Sequence, residues 1–441
     1  MTYLNSGEKI RQLRKAMDLK QDDLTSDEIT KSLISMIESN KRNLTWKTAY
    51  IIARNLNKYY ATLGQNITPE YLMRAEEDDA RQDIRKNIDE LKEAVKTGAL
   101  DEKLIHHNFK QLAESIIKFN FKDELMEFKI LRGTFFYNND QYQEALKDYL
   151  DALSYANEIK AFNKVAWLHI LIGKTYKMQS LVDTAIIHFI KSLDITCINE
   201  SYDSEKIKAY SNFNLVICYE IKRRHDLIFS HINSFRKLNW NDPEFKIFSD
   251  RLELIEANTY RVIGNYIRAA AIYDKLLEAK GLDLETMFLI YQNYTLLALE
   301  EGNAQKGLEY NAKAKNLKEQ IDISQQSALL LYEARCYNLL EKHKKVFELL
   351  EFAVKLVERV PNKHLIVDIH FALIEAFMQY KDFCKVETYL NEVEKIIFKK
   401  ELKNRVSELN SYYIDYYIEI GDRKKAREYS KMIRSKNYLV P

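Results

Sequence analysis

From residue 123 onward the chain repeats itself about every 40 residues, and this period constrains its fold more than any other feature. In LRGTFFYNNDQYQEALKDYLDAL, Gly133, Phe136, Ala145, Tyr149 and Ala152 alternate small side chains with large ones. LIGKTYKMQSLVDTAIIHFIKSL places Gly173, Tyr176, Ala185, Phe189 and Ser192 at the same offsets. Further copies begin at Val216, Ala257, Thr295, Ala334, Ile374 and Ile414, so the eight are spaced 40, 43, 41, 38, 39, 40 and 40 residues apart. Small residues at fixed positions let two antiparallel helices pack closely. One such pair cannot bury its apolar face alone, so neighbouring pairs must stack. With 10 Gly and 4 Pro in 441 residues, the chain has too few turn formers for a turn-rich all-β fold.

The small-large-small offsets resemble those of tetratricopeptide repeats, with a period nearer 40 than the family's minimal one. The expected fold is therefore all-α: an N-terminal helix-turn-helix domain followed by a tetratricopeptide-repeat right-handed superhelix. The expected organisation is a head over 1–66, a linker helix and irregular helical pair over 67–122, and the repeats over 123–441. Gly64 to Thr68 breaks the pattern, and Pro69 suits the first turn of the next helix with Thr68 as its cap.

Several function classes are disfavoured by the residues present. Nothing matches GxxxxGK[ST], GxGxxG or GxSxG, so no enzyme is expected. The nine histidines show no HExxH, and no metal or other cofactor is expected. Cys197, Cys218, Cys336 and Cys384 lie in helical stretches without CxxC pairing and are expected to be reduced, mostly buried thiols. No run of roughly 18 apolar residues could span a bilayer, and MTYLNSGEKIRQL lacks the apolar core of a secretory signal, so a cytoplasmic chain without membrane contact is expected.

The first 60 residues carry 11 Lys/Arg against 7 Asp/Glu, a charge of +4 in a chain whose total is +2. A basic head on a slightly acidic body places any polyanion at the head. Ser6 is expected to cap a helix carrying Ile10, Leu13 and Met17, and a second helix starts near Gln21 and includes Leu24. Thr30 caps a third with Leu33, Ile34 and Ile37 inward, Asn40 ends it, and a fourth runs from Trp46 to Leu56. Charges on the third helix are confined to Lys31 and Glu38, as suits a helix that enters a DNA groove. Lys31, Ser32 and Ser35 are the candidates for base edges, and Lys41 and Arg42 for phosphates.

The order GEKIRQLRKAMDLKQDDL…ITKSLISMIESNKRNLT resembles the Xre and phage-repressor family of DNA-binding domains. The match rests on the GEKIRQLR opening, Gln21, and the run Ser35, Ile37, Glu38, Lys41, Arg42. Met36 stands where that family commonly has a polar base reader. The resemblance implies that Gln21 contacts the DNA backbone. In architecture the whole chain looks like the cytoplasmic peptide-pheromone receptors of Gram-positive bacteria and their phages, the RRNPP group, with the arbitrium receptors as relatives. What this implies is a homodimeric quorum-sensing transcription regulator that binds double-stranded operator DNA. A short linear signalling peptide would seat on the concave repeat face and change the spacing of the two heads.

Read on the repeat offsets, the groove positions hold Lys174, Asn214, Arg251, Asn258, Arg261, Gln292, Asn293, Tyr332, Arg335 and Asn338. An Asn offers a donor and an acceptor to an extended backbone, and an Arg can hold a carboxylate. Tyr412, Tyr413, Tyr416 and Tyr417 supply more aromatic surface than one helix needs, which makes Tyr412 to Tyr438 the favoured dimer contact. Two alternatives stand beside this reading: a repeat protein that binds or dephosphorylates a response regulator, and a constitutive DNA-bound scaffold.

Overall fold

Helix ends in the head follow from capping chemistry. The computed structural model describes residues 4–98, 102–199, 203–279, 281–317, 322–357, 362–399 and 402–435. Asn5, not Ser6, caps α1 (Ser6–Ala16), and Glu8 closes a reciprocal capping box with it. Thr30 caps α2 (Lys31–Glu38), Thr45 caps α3 (Trp46–Tyr60), and Thr68 caps α4 (Pro69–Met73) with Pro69 in its first turn. The helix expected near Gln21 is a single 3-10 turn, Gln21–Leu24. Its extension is cut short because Thr25 is extended and Ser26 pairs with Ile29 across a tight turn.

The chain is all-α, and its described residues fall into two compact units: Met1–Arg223 with Asn233–Trp240, and Arg224–Ile232 with Asn241–Pro441. The first holds the head, then α5 (Glu76–Thr97), α6 (Glu102–Phe119), α7 (Lys122–Asn138), α8 (Tyr142–Glu158), α9 (Phe162–Met178), α10 (Val182–Ile198) and α11 (Ser204–Ile221). In sequence α12 (His225–Arg236) spans the boundary. The second continues with α13 (Pro243–Val262), α14 (Tyr266–Glu278), α15 (Leu284–Glu300), α16 (Ala304–Asn316), α17 (Ile323–Leu339) and α18 (His343–Val357). It ends with α19 (Lys363–Gln379), α20 (Phe383–Lys399), α21 (Val406–Glu419) and α22 (Arg423–Ser435). No helix among the described residues is long and apolar enough to cross a membrane.

The repeat offsets do the packing their sizes predict. A Cβ on Gly133 would stand 2.7 Å from the Tyr149 ring, and one on Gly173 2.7 Å from Phe189. Glycine at these two positions lets the second helix of each pair lay its ring against the first. Ala145, Ala185, Ala257, Ala269 and Ala298 are wholly buried at the corresponding contacts. Turns between paired helices need one left-handed residue. Asp140, Ser180, Glu341 and Lys381 take positive φ in four of them and Gly264, Gly302 and Gly421 in three others, which is how a chain so poor in glycine closes its turns.

Tyrosine fills the space between pairs. In the second unit Tyr294 stacks on Tyr310 at 4.1 Å and packs against Tyr273 at 5.1 Å. The same use accounts for the tyrosines of α21, which do not form the exposed aromatic surface expected of them. Tyr413, Tyr416 and Tyr417 are buried, Tyr413 and Tyr417 stack on Tyr429, and Tyr412 stacks on Phe371 while donating to Glu375 at 2.5 Å. Their surface is consumed by the repeat's own packing, and Tyr438 lies outside the described residues. The expectation of mostly buried cysteines holds for Cys218 and Cys336, whereas Cys197 and Cys384 are exposed on outward turns of α10 and α20; all four are free thiols.

Candidate nucleic-acid interface and repeat face

The head is built around one buried carboxylate. Glu38, 5% exposed at the end of α2, accepts from Arg14 Nε at 2.7 Å and Arg14 Nη2 at 2.9 Å, and from the Gln21 amide at 2.8 Å. The third Arg14 nitrogen, Nη1, donates to the Leu19 carbonyl at 2.7 Å. One ion pair thus ties α1, the turn after it, the 3-10 turn and α2 together. Burial works against the charged Glu38. The hydrogen bonds from Arg14 and Gln21 and the nearby Arg14 and Arg11 charges outweigh it, holding the carboxyl below its ordinary range.

Two backbone constraints complete the frame. A Cβ on Gly7 would stand 2.2 Å from the Ile37 carbonyl oxygen, so only glycine lets α1 approach the end of α2. Asn40, at φ 58°, takes the left-handed turn that ends α2. Ile10, Leu24, Ile34, Ile37, Ile52 and Leu56 form the core, and Leu72 of α4 joins it, so the head's packing continues past residue 66. Lys9, 3% exposed, donates to the Arg74 carbonyl at 2.7 Å and pairs with Asp79 of α5, which fastens α1 to the first helix beyond the head.

This frame leaves one face of α2 open. Lys31, Ser32 and Ser35 are exposed opposite the buried Ile34 and Ile37, and Lys41 and Arg42 are exposed just beyond the helix. Lys31 is held by Asp22 at 2.8 Å, a pair more than half exposed on both sides and therefore weak against a phosphate. Gln21 is half-buried, and with one amide hydrogen given to Glu38 it keeps one for another acceptor. Sequence reasoning missed Arg14, Glu38 and Lys9 as positioning residues. It also missed Trp46 and Tyr50, 52% and 56% exposed one turn apart on α3. Their i, i+4 spacing on the polar side of α3 was the available signal.

The repeat-face candidates divide by unit. In the first, Lys174 lies over the Tyr137 ring at 5.5 Å. Asn214 is 4% exposed, accepts from Lys177 Nζ at 2.9 Å and donates to the Tyr210 carbonyl at 2.8 Å. Its carboxamide is therefore engaged inside the fold rather than presented to a ligand. In the second unit, Gln292, Arg335, Asp368 and Arg261 all act on the Tyr332 hydroxyl, so Arg261, Gln292, Tyr332 and Arg335 of α13, α15 and α17 form one electrostatic neighbourhood. Burial, the largest influence, raises the Tyr332 hydroxyl.

Arg261 also pairs with Glu300, while its Nε is buried without a partner. Asn258 accepts from the Tyr273 hydroxyl at 2.7 Å, and Asn338 from Tyr380 at 3.2 Å. Asn293 donates to the Leu289 carbonyl at 2.8 Å, which leaves its oxygen unengaged among the described residues. Arg251 is exposed and acts on Asp283 of the next repeat.

A helix-turn-helix head on a helical-repeat body is what this architecture defines, and comparison with known proteins agrees. Residues 7–77 match the helix-turn-helix domain family. The chain shares its fold with the apo form of the quorum sensor NprR from B. thuringiensis, at 12% identity and a TM-score of 0.59, over 80% of this chain and 98% of that one. It is likewise similar to apo RapI, at 13% identity and a TM-score of 0.57, over 81% and 99% of the two chains. A signal-transduction ATPase with a tetratricopeptide repeat sensor from Pyrococcus horikoshii matches at 15% identity and a TM-score of 0.51, over 90% of this chain and 67% of that one. No curated protein sequence matches significantly. The chain thus carries a helix-turn-helix head on the repeat fold it shares with NprR and RapI.

Replacing Glu38 by Ala leaves the Arg14 guanidinium buried and unpaired and should destabilise the head by about 3 kcal/mol. Because the folded carboxyl is lowered, the Glu38 contribution is fully present above its unfolded value of about 4.3 and is lost as pH falls through the lower folded value. Thermal melts of the wild type between pH 7 and pH 3 should show this loss in the head's transition, and Glu38→Gln should remove most of the pH dependence. An unchanged acid profile in Glu38→Gln would contradict the role of the hub.

Proposed function

We propose that the chain is a cytoplasmic, homodimeric transcription regulator that binds operator DNA through the exposed face of α2 and responds to a short linear peptide. The observation that carries the DNA half is the juxtaposition in the head. A buried Arg14–Glu38–Gln21 hub fixes α2 from behind, while Lys31, Ser32 and Ser35 stay open at its N-terminal half and Lys41 and Arg42 at its end. Short side chains at the front of the helix suit base edges, and the two cations beyond it suit phosphates. Gln21 keeps an amide hydrogen for the DNA backbone, and Trp46 with Lys47 at the start of α3 extends the same backbone contact.

The peptide half is supported by the fold shared with a protein named as a quorum sensor, and by the polar cluster on the first helices of the second unit. Asn293 and Asn258 offer carboxamides to a peptide backbone, and Arg335 and Arg261 offer cations to a carboxylate. Gln292, Tyr332, Asn338 and Arg251 flank them, with Lys174 a further contact in the first unit. Peptide binding that favours one arrangement by a few kcal/mol is enough to change operator occupancy.

The two halves are tested separately. Arg42→Ala should weaken binding to all duplexes alike and lower the salt slope by about 1. Ser35→Ala should change preference among operators by roughly 1–3 kcal/mol. Binding titrations at two salt concentrations read both, and an Arg42→Ala variant with altered sequence preference would overturn the docking.

For the peptide, the candidate is a short peptide encoded beside this gene, titrated calorimetrically into the full chain. Asn293→Ala should cost roughly 1–3 kcal/mol of binding with little change in melting temperature, and Arg335→Ala should remove preference for a free C-terminal carboxylate. Undiminished affinity in both variants would remove the peptide from this face.

A further inference from the structure

The outward face of α10 differs from that of the other second helices of the repeats. Other second helices expose at most a single large apolar residue such as Leu150 on α8, Ile267 on α14 or Phe352 on α18, and α20 exposes Glu387, Glu392 and Lys395. In α10 the inner side is filled as expected, with Ala185, Phe189, Ser192 and Thr196 buried. Yet Ile187, Ile190 and Ile198 on the outer side are 52%, 39% and 80% exposed. At about 100° per residue these three and the exposed Lys191 and Asp194 form a single stripe. Neither Lys191 nor Asp194 has an ion-pair partner among the described residues.

We propose that this face of α10 is a two-fold contact between two copies of the chain, with the helices antiparallel. The stripe is complementary to itself in that arrangement and in no parallel one. A two-fold axis between residues 192 and 193 sets Lys191 opposite Asp194 of the partner subunit, twice, and Ile187 opposite Ile198 of the partner subunit, twice. A parallel pairing in register would put each charge against its own kind. The apolar residues supply the attraction. The two ion pairs fix register and select a second copy over an unrelated partner.

One helix pair is small beside a standard interface of roughly 800 Å² per partner. The contact is therefore concentration-dependent in free protein and is reinforced when two heads occupy neighbouring half-sites. The inference rests on the homodimer proposed above and on nothing about the peptide.

Sedimentation equilibrium of the full chain, without DNA or peptide, tests it. Wild type should show a monomer–dimer equilibrium at micromolar concentrations. Lys191→Asp and Asp194→Lys should each weaken the dimer about tenfold or more, since each sets like charges together twice, and the double exchange should restore it. Ile198→Glu should give monomer with the melting temperature of the wild type, its side chain being exposed in the single chain. A wild-type monomer at every concentration would overturn both the dimer and this contact. A dimer indifferent to all four variants would overturn the contact alone and leave the homodimer standing.

Discussion

In the first two repeats the paired helices approach until an aromatic ring of the second rests where a side chain of the first would otherwise stand. Tyr149 against Gly133 and Phe189 against Gly173 are the closest cases. The remaining architecture depends on that approach. Once a pair is closed, its remaining apolar surface must be covered by the next pair, and the polar positions of the first helices are left in a row. The cluster of Arg261, Gln292, Tyr332 and Arg335 is a product of this stacking, since its members come from three helices of successive repeats.

The head solves a different problem with different means. A domain this small has little core, so one buried ion pair and one close backbone contact set the orientation of α2. Arg14 and Glu38 bring distant turns together, and Gly7 sets how near α1 can come. Lys9 then passes the head's orientation on to α5 through Asp79. That link gives a physical route by which movement of α5 would reach the exposed face of α2.

Much of this was legible in the sequence because the relevant residues act locally. Thr30, Asn40, Thr68 and Pro69 each do what their type dictates at a helix end, and the repeat offsets are a spacing rule that needs no tertiary knowledge. The rest depended on partners distant in the chain. Asn214 looked like a ligand clamp, but Lys177, 37 residues earlier, occupies its oxygen. The α21 tyrosines looked like spare surface, but Phe371 and Tyr429 take it up. Nothing in the sequence alone marked the isoleucines of α10 as exposed, because periodicity does not say which apolar face of a helix a neighbour covers. The 3-10 turn at Gln21 read as a helix because its shortening comes from the Ser26–Ile29 bridge.

The central claim is that α2 reads duplex DNA as part of a paired head. Selection of bound duplexes from a random pool by the full-length protein, followed by sequencing, addresses it directly. The account predicts enrichment of an inverted repeat whose half-sites lie about one helical turn, or a whole multiple of it, apart. Recovery of unenriched sequence, or of a single unpaired site with full affinity, would contradict it.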